Sequence, residues 1–374
     1  MTPFPLLPLG QVVLGIGLLT VGAEALVRGA AGLAEHLGLS PLVIGLTVVA
    51  FGTSMPEMAV SLGSAWISDG GVALGNALGS NIFNVLVVLG GAAVIRPLVA
   101  DRQLVRLDVP VMIGTSVLVL LLALDGRLGP LDGLLLVALG ITYTVVVVRG
   151  GRALNGEAVA PAEPRPEERH EHALATGGTT TLPIQLGWIV VGLLFLVVGA
   201  RLVVLGASTV AHALGVSDLV IGLTVVAAGT SLPELATSFV AAVRGQRDIA
   251  VGNVVGSNVF NSLFVLGLAA LAETGGLPVP EGVRTFDLPV MVVVSTVCLP
   301  IFFTGWAVSR REGIVFLAYY GAYLLYLALY HMHHAGEELV GTALLFFALP
   351  LTALTLGVGV FRQIRSKAKP TTDP

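Results

Sequence analysis

The chain has 374 residues, of which 55% are hydrophobic and only 11% charged, with a mean hydropathy of +0.93. Soluble domains carry about 25% charged residues, so these proportions exclude a water-soluble globule. The formal net charge of −4 points to no partner, and no basic patch with interleaved aromatics is present, which excludes nucleic acid as a ligand.

In chain order, apolar runs long enough to cross a bilayer as helices fall at roughly 10–33, 41–67, 72–95, 108–124 and 131–148. No positively charged segment precedes the first run, so Gly10 to Ala30 reads as a retained span rather than a signal peptide. A polar stretch follows at 150–184, with Pro161, Pro164, Pro166 and the run Glu167 to His172. It holds too little apolar material to fold alone and reads as a linker. Its histidines could touch a metal, but a solvated charged loop explains them equally well. Further spans are expected at 187–210, 218–243, 249–272, 286–304, 311–330 and 340–361. The single cysteine, Cys298, lies in one of these runs; it has no internal disulfide partner and reads as a small buried hydrophobe.

An internal repeat sets the architecture. Residues 37–54 read LGLSPLVIGLTVVAFGTS and residues 214–231 read LGVSDLVIGLTVVAAGTS, an offset of 177. The same offset maps Glu57 to Glu234, Ser61 to Ser238, Ser80 to Ser257 and Asn84 to Asn261. Asp108-Val-Pro-Val-Met matches Asp287-Leu-Pro-Val-Met after a short gap. Each copy holds five spans, an odd number, so the second must cross the membrane in the opposite sense. The predicted fold is therefore an all-α membrane protein. It has two inverted five-helix repeats (1–149 and 185–335), the linker 150–184, and an extra eleventh span with a basic tail (336–374). Arginine and lysine support this topology. They gather at 96–106, 149–169, 244–247, 310–311 and 362–369, while the opposite loops hold only Arg127 and Arg284. That asymmetry places the N-terminus outside and the C-terminus in the cytoplasm of an integral plasma (inner) membrane protein.

Two signatures carry the chemistry. The first is Gly52-Thr53-Ser54-Met55-Pro56-Glu57, copied as Gly229-Thr230-Ser231-Leu232-Pro233-Glu234. A carboxylate at membrane depth must be paired, solvated or bound to a cation. Thr53 and Glu57, like Thr230 and Glu234, are spaced to face the same way on a helix. Each proline breaks the helical ladder and frees carbonyls about a turn earlier, near Ala50 and Thr53 or Ala227 and Thr230, as cation ligands. A lone buried glutamate could instead be protonated and bonded to a neighbouring helix; two symmetric copies with Thr, Ser and Pro point to a site. The second signature runs from Gly75 to Asn84 and from Gly252 to Asn261. Asn76, Ser80 and Asn84 form one polar stripe, and Asn253, Ser257 and Asn261 the other. Helix-to-helix glue is the bland role for such residues, and Ser80, Asn84, Ser257 and Asn261 are favoured as ligands over it. Together the signatures offer oxygen donors with no Cys or His, a set that suits Na⁺ and Ca²⁺ rather than zinc or copper.

These paired motifs resemble the alpha-repeats of the sodium/calcium exchanger family, of prokaryotic type, within the calcium/cation antiporter superfamily. The resemblance implies Na⁺/Ca²⁺ antiport by alternating access, with the first and sixth helices moving across a fixed core. It implies that Thr53, Glu57, Thr230 and Glu234 hold Ca²⁺. Ser54, Ser80, Ser231 and Ser257, with the carbonyls of Ala50 and Ala227, would help hold Na⁺, and Asn84 and Asn261 would complete the centre. The ions are cargo and no cofactor is expected; the lipid bilayer is the other partner, and no oligomeric state is assigned. Relatives with Asp in place of Asn261 include potassium-dependent ones, so Asn261 argues against potassium dependence. Rival readings are a proton/calcium antiporter of the same fold and, further off, a cation channel. An intramembrane enzyme is excluded, since neither an HExxH motif nor a Ser–His pair lies at membrane depth. Among lesser features, Glu24 is expected to pair locally with Arg28 rather than with Arg201. His331, His333 and His334 read as a solvated outer loop, and Asp69 as a minor cation attractor.

Overall fold

A computed structural model describes residues 6–67, 70–156, 181–214, 227–303 and 306–331. Apolar runs become helices throughout: α1 (Leu6–Leu37), α2 (Pro41–Thr53), α3 (Met55–Trp66), α4 (Gly70–Ile95), α5 (Leu104–Asp125) and α6 (Pro130–Gly156). The second series is α7 (Leu182–Ala213), helical residues Ala227–Gly229 following the undescribed 215–226, α8 (Leu232–Val243), α9 (Arg247–Ala272), α10 (Val283–Phe303) and α11 (Arg310–His331). α6 continues past residue 150, into the stretch read as linker. The rest of that stretch from 157 to 180, Asp69, the outer histidines beyond His331 and the eleventh span at 340–361 lie outside the described residues. Among the described residues, eight helices are long and apolar enough to cross a membrane, and α2 with α3 makes a ninth span bent by 44°. Their outward faces are apolar, as Leu131, Ile141 and Val146 of α6 show, which suits contact with acyl chains.

Two short antiparallel strand pairs tie the loops. β1 (Leu98–Val99) pairs with β4 (Ala307–Val308), and β2 (Arg127–Leu128) pairs with β3 (Leu277–Pro278). A pair can form only if both loops lie on one side of the bilayer, so an even number of spans must separate its strands. The single span α5 separates β1 from β2, which puts the two pairs on opposite faces. The expected alternation of spans satisfies both conditions.

α1 and α7 run antiparallel and close together. Gly15, Gly22 and Gly29 recur every seventh residue on α1, and Gly192, Gly199 and Gly206 do so on α7. A Cβ at Gly22 would stand 2.8 Å from Gly192 O, and one at Gly199 would stand 2.8 Å from Gly15 O. Only glycine lets the two backbones approach this closely. The helices α2, α3, α4, α8 and α9 pack against one another. α4 and α9 are the most buried of the long helices. Each contains a turn of π-helix at the matching position, Asn84–Leu89 and Asn261–Val265. The extra residue in such turns rotates the side chains that follow, and they concentrate at functional sites.

The two halves differ in how the outer pair meets this core. The second half of α1 lies along α8, burying Ala23, Leu26, Ala30 and Ala34 on one side and Thr237 and Ala241 on the other. By the repeat, the second half of α7 should lie along α3 in the same way. It makes only marginal contact there, and Val60, the repeat mate of fully buried Thr237, is 39% exposed. Glu24 also departs from the sequence reading. It pairs with Arg244 at the end of α8, with Arg244 Nε donating at 2.9 Å. The i, i+4 partner Arg28 instead stacks 5.5 Å from the Trp188 ring of α7. The close approach of α8 to α1 brings a full charge to Glu24 that local spacing could not reveal.

Candidate cation centre

The centre forms where the two broken helices meet α4 and α9. Proline sets the break. Pro56 and Pro233 sit in the first turn of α3 and α8, where their missing N–H groups cost nothing. The preceding residues leave helical geometry, Ser54 at φ −79°, ψ 3° and Ser231 at φ −90°, ψ 8°. Glu57 and Glu234 follow in the same first turns, where the N-terminal ends of the helix dipoles favour negative charge. Both carboxyl groups are fully buried.

The break serines bond across the repeats. Ser231 Oγ donates to Glu57 Oε1 at 2.9 Å, and Ser54 Oγ donates to Glu234 Oε1 at 3.2 Å. Ser80 Oγ of α4 also donates to Glu57 Oε1, at 3.3 Å, and lies 3.0 Å from Ser231 Oγ. Ser257, its repeat mate on α9, is fully buried. Thr53 and Thr230 cross over as well. Thr53 Oγ1 donates to Asn253 Oδ1 at 3.0 Å, and Thr230 Oγ1 to Asn76 Oδ1 at 3.2 Å. Asn84 and Asn261 open the two π turns, fully buried. Ala50 O accepts from Ser54 N at 3.0 Å and has Thr53 Oγ1 3.4 Å away; with the Thr53 proton given to Asn253, it keeps one lone pair free. Ala227 lies in the matching helical segment on the other side.

All the residues singled out by the two signatures therefore lie on the elements that converge here. Asn76 and Asn253 face the broken helices, whereas Asn81 and Asn258, off the stripe, turn away. Asn81 Nδ2 donates to Ser262 Oγ at 3.0 Å and Met291 Sδ at 3.4 Å, and Asn258 Nδ2 to Met112 Sδ at 3.5 Å. Glu57 Oε2, Glu234 Oε2, Ser257 Oγ and both amide atoms of Asn84 and Asn261 are buried without a protein hydrogen-bond partner. Buried polar atoms left unpaired cost about 1–3 kcal/mol each, and charged ones more. A cluster of unpaired oxygens around two carboxylates fits small hard cations, which would supply the missing interactions. Among the described residues, no group of three or more His, Cys, Asp or Glu gathers.

Outside this centre, the structure shows a repeated pair that sequence spacing did not reveal. Tyr143 OH donates to buried Asp108 Oδ1 at 3.2 Å, and Tyr323 OH to Asp287 Oδ1 at 3.0 Å. The matching Asp-x-Pro-x-Met stretches marked these aspartates as repeat positions, but nothing in the sequence named their tyrosines.

The family model described as sodium/calcium exchanger protein matches residues 7–149 and 184–329. The chain belongs to the sodium/calcium exchanger family. Among relatives of this exchanger, inner membrane protein YrbG of Escherichia coli K12 is 35% identical over 78% of this chain and 87% of its own length. Sodium/calcium exchanger MaX1 of Methanosarcina acetivorans is 33% identical, covering 84% of this chain and 97% of its own. The solved sodium-calcium exchanger NCX_Mj, soaked with Na⁺ and Sr²⁺, superposes with a TM-score of 0.70. It is 34% identical over 84% of this chain and 97% of that one.

Proposed function

We propose that this exchanger carries Na⁺ and Ca²⁺ alternately through the centre between its repeats, each ion excluding the other. As a member of its family the chain is a Na⁺/Ca²⁺ antiporter; the assignment of the centre is our reading. Glu57 and Glu234, with Thr53 and Thr230, would hold Ca²⁺. Ser54, Ser80, Ser231 and Ser257, with the carbonyls of Ala50 and Ala227, would contribute to Na⁺ binding, and Asn84 and Asn261 would close the set. The observation that carries this is the cluster of orphaned oxygens around two buried carboxylates. Two carboxylates balance one Ca²⁺, so exchange of more than two Na⁺ per Ca²⁺ carries net charge.

The distribution of arginine and lysine supports an N-terminus outside and a C-terminus in the cytoplasm. In that orientation the α1–α8 contact closes the cytoplasmic side of the centre. The loose α7–α3 contact leaves the outer side open. Movement of α1 and α7 as one body, joined by their glycine seam, would exchange these contacts.

The test is ⁴⁵Ca²⁺ uptake into proteoliposomes under an outward Na⁺ gradient, with a matched pH gradient as the parallel arm. Uptake should follow Na⁺ and ignore pH, and Glu57→Gln and Glu234→Gln should each abolish it while the protein stays folded. Wild-type uptake in either variant would remove the glutamates from the site. Uptake that follows pH alone would move the chain to proton coupling.

A further inference from the structure

We infer that Asn76 and Asn253 are positioning residues for transport, each aiming the threonine hydroxyl of the opposite repeat so that only its lone pairs face the cation. The inference rests on the assignment of Thr53 and Thr230 to the centre.

Both asparagines sit in the same bonding pattern. Asn253 Nδ2 donates to the backbone carbonyl of Glu234 at 3.3 Å and to Ser238 Oγ at 3.0 Å. Asn76 Nδ2 donates to the carbonyl of Glu57 at 3.1 Å and to Ser61 Oγ at 3.0 Å. The two serines pass the polarity on, Ser238 to Ala250 O at 3.4 Å and Ser61 to Ala73 O at 3.2 Å. A backbone carbonyl only accepts, and a serine that gives its one proton to a carbonyl must accept from its other neighbour. This fixes each amide: its NH₂ faces its own repeat and its oxygen faces the other repeat's threonine. An amide oxygen cannot donate, so the threonine must.

The consequence falls on the centre. Thr53 Oγ1 lies 3.0 Å from Asn253 Oδ1 and 3.4 Å from Ala50 O, a carbonyl assigned to the Na⁺ set. A hydroxyl has one proton. Released from Asn253, it would turn that proton onto Ala50 O and compete with the cation for that oxygen. Held by Asn253, it keeps both lone pairs for the ion. Thr230 is held by Asn76 in the same sense. The clamps also cross the repeats, so each half sets the ligand geometry of the other.

The measurement is the half-saturating Ca²⁺ concentration for Na⁺-driven uptake, with the thermal midpoint in Ca²⁺-free buffer recorded for each variant. Asn253→Ala and Asn76→Ala should each raise half-saturation about five- to tenfold, the loss of roughly one hydrogen bond, with the maximal rate nearly unchanged. In a Thr53→Val background, Asn253→Ala should cause no further loss, because its only effect on the ion runs through that hydroxyl. Asn76 is only part-buried, so its variant and the Thr230→Val background keep the test available if Asn253→Ala does not fold. Unchanged half-saturation, an equal loss in the valine background, or a lowered Ca²⁺-free midpoint as the sole effect would each overturn the clamp. Glu57→Gln distinguishes the levels: if it transports normally, the site assignment itself fails; if it is dead while the asparagine variants match wild type, only the clamp fails.

Discussion

The halves of the centre and the halves of the outer pair tell different stories. Around Glu57 and Glu234 the repeats are near copies. Each has a serine at the break, a threonine bonded across to an asparagine, and an unpaired amide at the start of a π turn. Around α1 and α7 they are not. α1 buries the face of α8 around Thr237, while the equivalent face of α3 around Val60 is open. Similar sequence thus gives a symmetric hydrogen-bond frame but asymmetric packing of the outer pair. A site that must hold the same ions from either side of a membrane needs the first. A transporter caught with one side open shows the second.

The glycine seam offers the largest way to break the comparison. Gly22→Leu or Gly199→Leu would drive a side chain against backbone that a Cβ already approaches at 2.8 Å. Overpacking costs about 1–3 kcal/mol, more where backbone must move, so α1 should part from α7. Uptake should fall sharply in both variants, and the thermal midpoint should drop by several degrees. Gly10 and Gly17, with open space around them, should accept alanine without change.

A sharper and smaller test uses the crossed serines. Ser54→Ala and Ser231→Ala each remove one hydrogen bond to a carboxylate, worth about 1.5–3 kcal/mol. If the frame is symmetric, both should weaken ion binding by similar factors, on the order of tenfold or more. A large effect in one and none in the other, measured by Na⁺ titration of uptake, would mean that the two carboxylates differ in role.

The smallest effect belongs to the Glu24–Arg244 pair, half-exposed and therefore worth about 0–1 kcal/mol. It has no counterpart: the repeat mates are Arg201 and Ile67. Glu24→Gln should shift the balance between access states a few-fold, seen as faster reaction of a cysteine placed at Thr237. The shift should shrink as salt screens the pair in the unmodified chain.

Much of this was legible before the structure. The 177-residue offset paired Thr53 with Thr230 and Glu57 with Glu234, and the i, i+4 spacing put Asn76, Ser80 and Asn84 on one stripe. What stayed hidden were relations between elements. Spacing within one repeat says nothing about register against the other, so the bonds from Ser54 to Glu234 and from Thr53 to Asn253 could not be read. The same limit misassigned Glu24. Helical spacing offered Arg28, but its partner lies at Arg244, brought near only by the packing of α8 on α1. The π turns at Asn84 and Asn261 were hidden because an extra residue in one helical turn leaves no compositional mark.

Because each carboxylate is bonded by the other repeat's serine, the two repeats build one centre and not one each. Equilibrium Ca²⁺ binding to the purified protein, titrated at several Na⁺ concentrations, tests this directly. One Ca²⁺ per chain is expected, displaced competitively by Na⁺ and lost altogether in either Glu57→Gln or Glu234→Gln. Two Ca²⁺ per chain, with each substitution removing one and sparing the other, would contradict a shared centre.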